Sequence, residues 1–211
     1  MSNFLIIAGL VLSLILLIII LIWIFWRLRS GSRPCPTTLI PLLDNPFTHR
    51  YHRTLISRLE LSPGLRVLDA GCGPGLLTVP IRRSVGIHGR VLAVDIQAGM
   101  LERAKARVTQ ARLQNVDFLL AGLGEGLLPA NTFDRALLVT VLGEVPDKLS
   151  ALREIYSALK PGGFLSVTEV LPDPDYQTAS RVKALAQQAG FKVKQRFGNI
   201  FNFTLNLEKS T

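Results

Sequence analysis

An acidic residue followed by a run of glycines is the feature of this chain whose spacing best suits chemistry. Asp69 ends a short apolar run that begins at Leu65, and Gly71, Gly73 and Gly75 come next, ahead of a helix-compatible segment. Glycine suits a backbone that turns sharply at positive φ after a parallel strand and leaves room for a ligand where a Cβ would lie. The stretch predicts a strand, a ligand-binding turn and a helix. A tight turn without a ligand is the alternative interpretation.

The spacing of the glycines distinguishes between two kinds of nucleotide site. The dinucleotide fingerprint G-x-G-x-x-G needs its third glycine at position 76, where this chain has Leu76. The glycines instead fill the pattern D/E-x-G-x-G-x-G, which is motif I of the class I S-adenosylmethionine (SAM) dependent methyltransferases. From about His52 to Lys209 the chain resembles that family, in particular small bacterial methyltransferases grouped with those of quinone biosynthesis. The resemblance implies SAM as the cofactor.

Residues at the ends of two predicted strands are the first candidates for binding SAM. In the glycine turn they are Asp69, Gly71, Cys72, Gly73 and Gly75. The next predicted strand, Arg90–Asp95, ends in a carboxylate that can accept hydrogen bonds from both hydroxyls of a ribose. The resemblance implies that Ile96 packs on the adenine. Asp95 as the cap of the helix predicted over 97–112 is the alternative.

The loop after the third predicted strand, Val116–Leu120, departs from the family pattern. Relatives usually carry an acid one or two residues past this strand, where it contacts the adenine amino group. This chain has Gly122 and Leu123 there, and Glu125 is the nearest acid. Either Glu125 from a shifted loop or backbone groups at Gly122 and Leu123 take that role, and we expect weaker adenine recognition.

Two further side chains are candidates for contact with a methyl acceptor. Glu144 follows the predicted strand Phe133–Val139, at the end where ligands bind in open α/β sheets. Many relatives carry a histidine near this position. A capping role before the helix predicted over 147–159 is the alternative for Glu144. His52, in the helix predicted over 47–61, is a candidate base, with a packing or solvated role as its alternative.

Seven predicted strands alternate with helices, which indicates an α/β fold. The resemblance implies a Rossmann-like seven-stranded methyltransferase sheet with helices on both faces. Strands one to five are parallel, and the stretches 191–197 and 200–207 read as an antiparallel edge hairpin turning at Gly198 and Asn199. The region between strands five and six has room for a single helix. The N-terminal segment must therefore supply most of the cap over the site.

The first part of the chain predicts a single transmembrane helix. From Phe4 to Trp26 there are 23 residues without a charge, about 34 Å of helix, enough to cross a bilayer with some tilt. A cleaved signal peptide is the alternative, but no basic residue precedes the apolar run and Trp23 and Trp26 lie at its exit. Arg27 and the arginines after it place the catalytic domain in the cytoplasm by the positive-inside rule.

The composition and the positions of proline and glycine predict three domains and limit the possible partners. Residues 1–26 are the transmembrane helix, 27–46 a basic Pro/Gly/Ser linker, and 47–211 the methyltransferase domain. The net charge of +9 would suit nucleic acid, but there is no basic stripe interleaved with aromatic residues, so none is expected as a partner. The two cysteines belong to no cluster with metal-ligand spacing, so no metal is expected.

Three functions agree with these patterns to different degrees. The first is a membrane-anchored, single-pass SAM-dependent methyltransferase acting on a small or lipid-like acceptor. The second is a non-catalytic module with the same fold that binds partners at the membrane. The third, a nicotinamide oxidoreductase, is disfavoured by Leu76. Methyl transfer requires mainly that nucleophile and methyl group be held in line, so the lack of an obvious catalytic dyad does not exclude the enzyme.

Overall fold

The computed structural model describes residues 2–29, 35 and 44–210. The chain divides between Gly31 and Ser32 into two compact units. Most of the linker predicted over 27–46 lies outside the described residues. The domain boundaries proposed from the sequence therefore stay predictions.

The first unit contains one long apolar helix, α1, which spans Ser2–Arg29. Its most apolar part, Ile6–Ile24, is 19 residues long with a mean hydropathy of 3.2. The side chains from 6 to 22 are all exposed in this unit, so no protein core covers them. By length and composition the helix is able to cross a membrane, as predicted.

The second unit alternates strands and helices in chain order. Its helices are α2 Pro46–Ser57, α3 Thr78–Ser84, α4 Ala98–Gln110, α5 Lys148–Ala158 and α6 Ala179–Gln188. Its strands are β1 Arg66–Ala70, β2 Arg90–Asp95, β3 Val116–Leu120, β4 Phe133–Val139, β5 Leu159–Val170, β6 Lys192–Gly198 and β7 Asn202–Glu208.

One mixed sheet of seven strands organises this unit, in the order β3-β2-β1-β4-β5-β7-β6. The first five strands are parallel, and β7 runs antiparallel to both β5 and β6. The chain leaves β1 towards β2 on one side and returns to β4 on the other. This switch point is where open α/β sheets bind ligands beyond the carboxyl ends of their strands. The predicted fold and edge hairpin are confirmed.

Apolar side chains cover both faces of the sheet because neighbouring residues of a buried parallel strand point to opposite sides. On β1, Leu68 belongs to the core cluster that contains Leu152 of α5 and Val182 of α6. Val67, its neighbour, belongs to the cluster that contains Leu55 of α2 and Ile81 of α3. The sheet is therefore fixed between two layers of helices, which makes its strand ends a rigid support.

Two predicted boundaries differ from the structure. Helix α2 ends at Ser57 and not near Leu61, because the chain turns there and Glu60 takes a left-handed conformation with φ of 49°. Strand β5 begins at Leu159, which the sequence assigned to the helix predicted over 147–159, because Leu159 pairs with Phe133 of β4 before a register shift. Neither difference moves a residue of the candidate site.

The close packing of the glycine turn on α4 leads to a prediction for Gly75. A Cβ there would lie 3.0 Å from both Cα and Cβ of Ala104, at a φ of +78°. We expect Gly75→Ala to lower the free energy of unfolding by about 2–4 kcal/mol, from strain and overpacking together. Urea denaturation of the detergent-solubilised chain measures it. The control is Gly64→Ala, where φ is +90° but nothing lies within 4 Å; equal losses in the two variants would contradict the packing argument.

Candidate active site

A cavity of about 520 Å³ lies beyond the carboxyl ends of β1, β2 and β4, and we call it the main cavity. It brings together eleven of the twelve residues that the sequence singled out: His52, Asp69, Gly71, Cys72, Gly73, Asp95, Ile96, Gly122, Leu123, Glu125 and Glu144. Gly75 does not line it and packs on α4 instead. Residues from five different parts of the chain thus share one space.

The turn after β1 is held against β2 by three hydrogen bonds. The amides of Gly71 and Cys72 donate to the carbonyl of Val94, at 2.8 and 2.9 Å. The amide of Gly73 donates to Oδ2 of Asp95 at 2.8 Å. Gly71 has a φ of +73°, and a Cβ there would lie 2.5 Å from Cγ2 of Val141. Only glycine therefore fits between the turn and the segment after β4 without displacing a side chain.

Asp95 is buried to 8% exposure, and backbone amides satisfy both of its carboxylate oxygens. Besides the bond from Gly73, Oδ1 accepts from the amide of Gln97 at 2.9 Å. Burial raises the pKa of Asp95, and these amides act in the opposite direction. The N-cap of α4 is Gln97, so Asp95 shapes the turn before the helix without being its cap. Each oxygen retains a second acceptor position for a ligand.

Asp69 is a buried acid whose carboxylate already has a partner. Its Oδ2 accepts a hydrogen bond of 2.6 Å from the hydroxyl of Thr78, at the start of α3. Burial raises its pKa to about 6. The Cys72 thiol beside it also has a raised pKa, from burial and from the charges of Asp69 and Asp95. Asp69 and Thr78 together tie β1 to the helix that follows the turn, a pairing that the sequence did not predict.

The loop after β3 turns its acid back towards the cavity. A Cβ on Gly122 would lie 2.5 Å from Oε1 of Glu125, so this carboxylate folds over the glycine. Ile96 is close by, with its Cδ1 3.5 Å from the same position, and it is 57% exposed. Glu154 of α5 holds this loop in place by accepting hydrogen bonds from the amides of Gly124 and Leu128. A carboxylate and an exposed apolar side chain therefore lie side by side.

Glu144 does not cap α5. The N-cap is Asp147, whose Oδ1 accepts from the amide of Ser150 at 3.0 Å. Glu144 instead accepts a hydrogen bond of 3.2 Å at Oε2 from the amide of Cys35. Burial, together with the nearby carboxylates of Asp173, Asp175 and Asp95, raises its pKa to about 8.

Cys35 joins the two sides of the main cavity through its backbone. Its amide donates to Glu144, and its carbonyl accepts from Nε2 of Gln97 at 2.9 Å. Burial and the surrounding acids raise the pKa of its thiol to about 11. The contact links residues 109 positions apart, and no local pattern in the sequence indicates it. Cys35 lines the main cavity, but residues 30–34 and 36–43, on which the expected cap depends, lie outside the described residues.

His52 lies on α2 with an exposure of 9% and lines the main cavity. Its Nδ1 has no hydrogen-bond partner within the described residues. Burial, and then the proximity of His49, lowers its pKa, so the imidazole is neutral at pH 7. This nitrogen is enclosed by protein atoms, so a ligand in the cavity would contact it only if the ring turned.

The charge of the main cavity is opposite to that of the whole chain. Six carboxyl side chains line it: Asp69, Asp95, Glu125, Glu144, Asp147 and Asp173. No lysine or arginine is among its described lining residues, although the chain has a net charge of +9. The arrangement favours a cationic or neutral ligand over an anion.

Comparison with known proteins points to one family. The model of a methyltransferase domain matches residues 67–163. The chain is 34% identical over 156 residues to a demethylmenaquinone methyltransferase of Lactiplantibacillus plantarum, a match that covers 73% of this chain and 64% of that protein. It is 32% identical to a ubiquinone/menaquinone biosynthesis C-methyltransferase of Stenotrophomonas maltophilia, covering 72% of this chain and 60% of that protein. The chain thus spans less than two thirds of these relatives' length.

A solved structure shares the fold. A SAM-dependent methyltransferase from Aquifex aeolicus superposes with a TM-score of 0.76 and 24% sequence identity, over 82% of this chain and 98% of that one. The likeness therefore extends beyond the stretch matched by the family model.

Proposed function

Residues 67–163 belong to the SAM-dependent methyltransferase family, and from this premise we propose that the chain transfers a methyl group from SAM to a small or lipophilic acceptor. The observation that carries the proposal is the bond between Asp95 and the amide of Gly73 inside the main cavity. It places the glycine turn and the acid after β2 in the arrangement that a nucleoside bound across the strand ends requires.

The charge and the side-chain chemistry of the main cavity support SAM as its ligand. The carboxylates that line it favour a ligand with a cationic sulfonium and an ammonium group. Asp95 has free acceptor positions for ribose hydroxyls, and Ile96 offers an exposed apolar face for the adenine. We propose that Glu125, which folds over Gly122, accepts a hydrogen bond from the adenine amino group. Gly71, Cys72 and Gly73 would surround the amino-acid end.

The chemistry needs few groups from the protein. When bound, SAM supplies a methyl group on a cationic sulfur, which becomes a neutral thioether as the acceptor attacks in line. We propose that Glu144 takes the proton that the acceptor loses, because its pKa of about 8 is close to the operating pH, as general base catalysis requires. The sulfonium charge would lower that raised pKa and favour the carboxylate.

His52 has a supporting role in this proposal. We propose that its neutral ring, which lines the main cavity, turns to present Nδ1 to the acceptor for one hydrogen bond. Such a bond positions the methyl acceptor, while Glu144 remains the group that takes the proton. The two residues are therefore distinguishable by the pH dependence of their variants.

Membrane anchoring through α1 is part of the proposal. The 19 residues of Ile6–Ile24 give about 28 Å of helix, close to the thickness of a bilayer core. Their exposed side chains would have to be covered by lipid or protein to avoid water. We propose that α1 crosses the membrane once, with the catalytic domain in the cytoplasm, which would give the site access to lipophilic acceptors.

A first prediction concerns SAM binding. Asp95→Asn loses the charge and places an amide group against the Gly73 and Gln97 amides, so we expect the Kd for SAM to rise about tenfold or more. Isothermal titration of the detergent-solubilised chain measures it. The control is Asp117→Asn. Asp117 lies on β3 in an exposed ion pair with Arg90, and this variant should bind SAM normally. If the unaltered chain does not bind SAM, the non-catalytic module is the better description.

A second prediction concerns the base. Because the folded pKa of Glu144 is raised, the carboxylate forms as the pH increases, and methyl transfer should increase with pH, with a midpoint at or below about pH 8 and a plateau about one pH unit above that midpoint. Glu144→Gln should lose about 100- to 10,000-fold in rate together with this pH dependence. His52→Gln should lose less and keep the midpoint. The assay follows labelled methyl groups from SAM into a membrane lipid extract.

The control for the base is Glu102→Gln on the exposed face of α4, which should match the unaltered chain in rate and pH profile. A Glu144→Gln variant with the unaltered rate and pH profile would remove Glu144 from the mechanism.

A third prediction concerns the membrane. We expect the unaltered chain to stay with membranes after an alkaline carbonate wash. Replacing Leu14 and Leu17 by arginine makes the free energy of membrane insertion less favourable by about 2.5–3.5 kcal/mol for each residue at the centre of a span. The double variant should therefore be released from the membranes into the carbonate wash. Replacing both by valine is the control. Release of the unaltered chain by the wash would show that α1 is no stable anchor.

A further inference from the structure

A second cavity, of about 540 Å³, lies between α2, α3 and α4. It shares two lining residues with the main cavity, His52 and Leu76, so the two spaces adjoin. Nothing in the methyl transfer described above uses it. Its lining is instead distinct in charge and polarity.

Positive side chains from all three helices line the second cavity. They are Arg53 of α2, Arg83 of α3 and Arg107 of α4, with His49 and His52 beside them. No aspartate or glutamate is among its described lining residues. The main cavity has the reverse pattern, so the two adjoining spaces are segregated by charge.

Two of these arginines carry the excess charge. Asp44 pairs with Nη2 of Arg107 at 2.7 Å and with Nε2 of His49 at 2.8 Å. Arg107 is held further by the carbonyl of Pro74. Arg53 and Arg83 are exposed, and neither makes an ion pair or hydrogen bond with its side chain within the described residues. Two guanidinium groups are thus open to a ligand.

The rest of the lining is apolar. Ile56, Leu76, Val79 and Pro80 lie in the same cavity as the arginines. Guanidinium groups bind phosphate through paired, charge-assisted hydrogen bonds, while the apolar side chains favour hydrocarbon. A ligand that satisfies both is amphiphilic and carries a phosphate group.

We propose that Arg53 and Arg83 bind the phosphate group of an amphiphilic methyl acceptor, whose reacting group extends past His52 into the main cavity. This proposal rests on the proposed function for the identity of the ligand as acceptor. The division of charge supports it: the carboxylates surround the cationic cofactor and the reacting group, and the arginines hold the anionic end of the acceptor apart from them.

Binding is tested on the detergent-solubilised full chain by isothermal titration with three probes. These are dihexanoylphosphatidic acid, dihexanoylglycerol, which lacks the phosphate, and inorganic phosphate, which lacks the chains. We expect the phosphatidic acid to bind at least about tenfold more tightly than either of the others. The double variant Arg53→Gln with Arg83→Gln should weaken its binding at least about tenfold. The control, Arg103→Gln with Arg153→Gln, removes the same charge from exposed positions outside both cavities and should bind normally.

Three results would overturn the site. Equal binding of phosphatidic acid and dihexanoylglycerol would remove the phosphate contact, and equal binding of phosphatidic acid and inorganic phosphate would reduce the cavity to a site for the free anion. Equal weakening by the control variant would show that net charge, and not these two arginines, is responsible. Titration of both double variants with SAM checks their folding, because neither pair lines the main cavity.

The role of the ligand as acceptor is tested on the product. Labelled lipid formed from SAM and a membrane extract should bind to an anion-exchange resin and lose that binding when its phosphate is removed enzymatically. A neutral labelled product would overturn the acceptor assignment. Failure of the chain to bind SAM would overturn the proposed function, whereas the titrations with phosphatidic acid would still decide the phosphate site.

Discussion

The hydrogen bond from the Gly73 amide to the Asp95 carboxylate is the contact on which the rest of the site depends. It joins the turn after β1 to the end of β2, and the bonds from Gly71 and Cys72 to Val94 hold the same two elements together. These contacts form only because the turn takes left-handed backbone conformations and approaches Val141 too closely for a Cβ. A sheet packed on both faces keeps the strand ends in place, so the floor of the cavity is formed before any ligand arrives.

Placing several carboxyl groups in one buried cavity changes their ionisation. In a chain with a net charge of +9, six acids line the main cavity, and burial raises the pKa of four of them, Asp69, Asp95, Glu144 and Asp173. The pKa of Glu144 rises to about 8 and that of Asp69 to about 6 for this reason. A bound cation relieves the repulsion, so cofactor binding and the ionisation of these acids are linked. The same environment raises the pKa of the Cys35 thiol to about 11, which keeps it protonated and unreactive at neutral pH.

Local patterns predict those parts of the site that depend on neighbours in sequence. The strand, glycine turn and following helix were predictable from residues 65–84, and the acid after β2 from its position at a strand end. The contacts that decide between alternatives are not local. Whether Glu144 caps a helix or faces the cavity depends on Asp147 taking the N-cap and on the amide of Cys35, 109 residues away. Gly75 shows the same limit, because the glycine pattern suggests a ligand contact there but does not indicate the helix packing against Ala104 that the structure shows.

The second cavity shows that the effect of an arginine depends on its neighbours in the folded chain. In the sequence alone, the arginines between 27 and 66 form a basic segment that would be attracted as a whole to an anionic membrane surface. In the structure Arg53 meets Arg83 and Arg107, which come from helices 30 and 54 residues further along the chain. Asp44 neutralises part of the group, and the remaining charge is confined to a cavity with apolar walls. Diffuse surface charge attracts a bilayer without discrimination, whereas two guanidinium groups beside a hydrocarbon-lined space select a single phosphate with a chain attached. The second cavity adjoins the main cavity at His52. A ligand that occupies both cavities would therefore have its anionic end away from the carboxylates that line the main cavity.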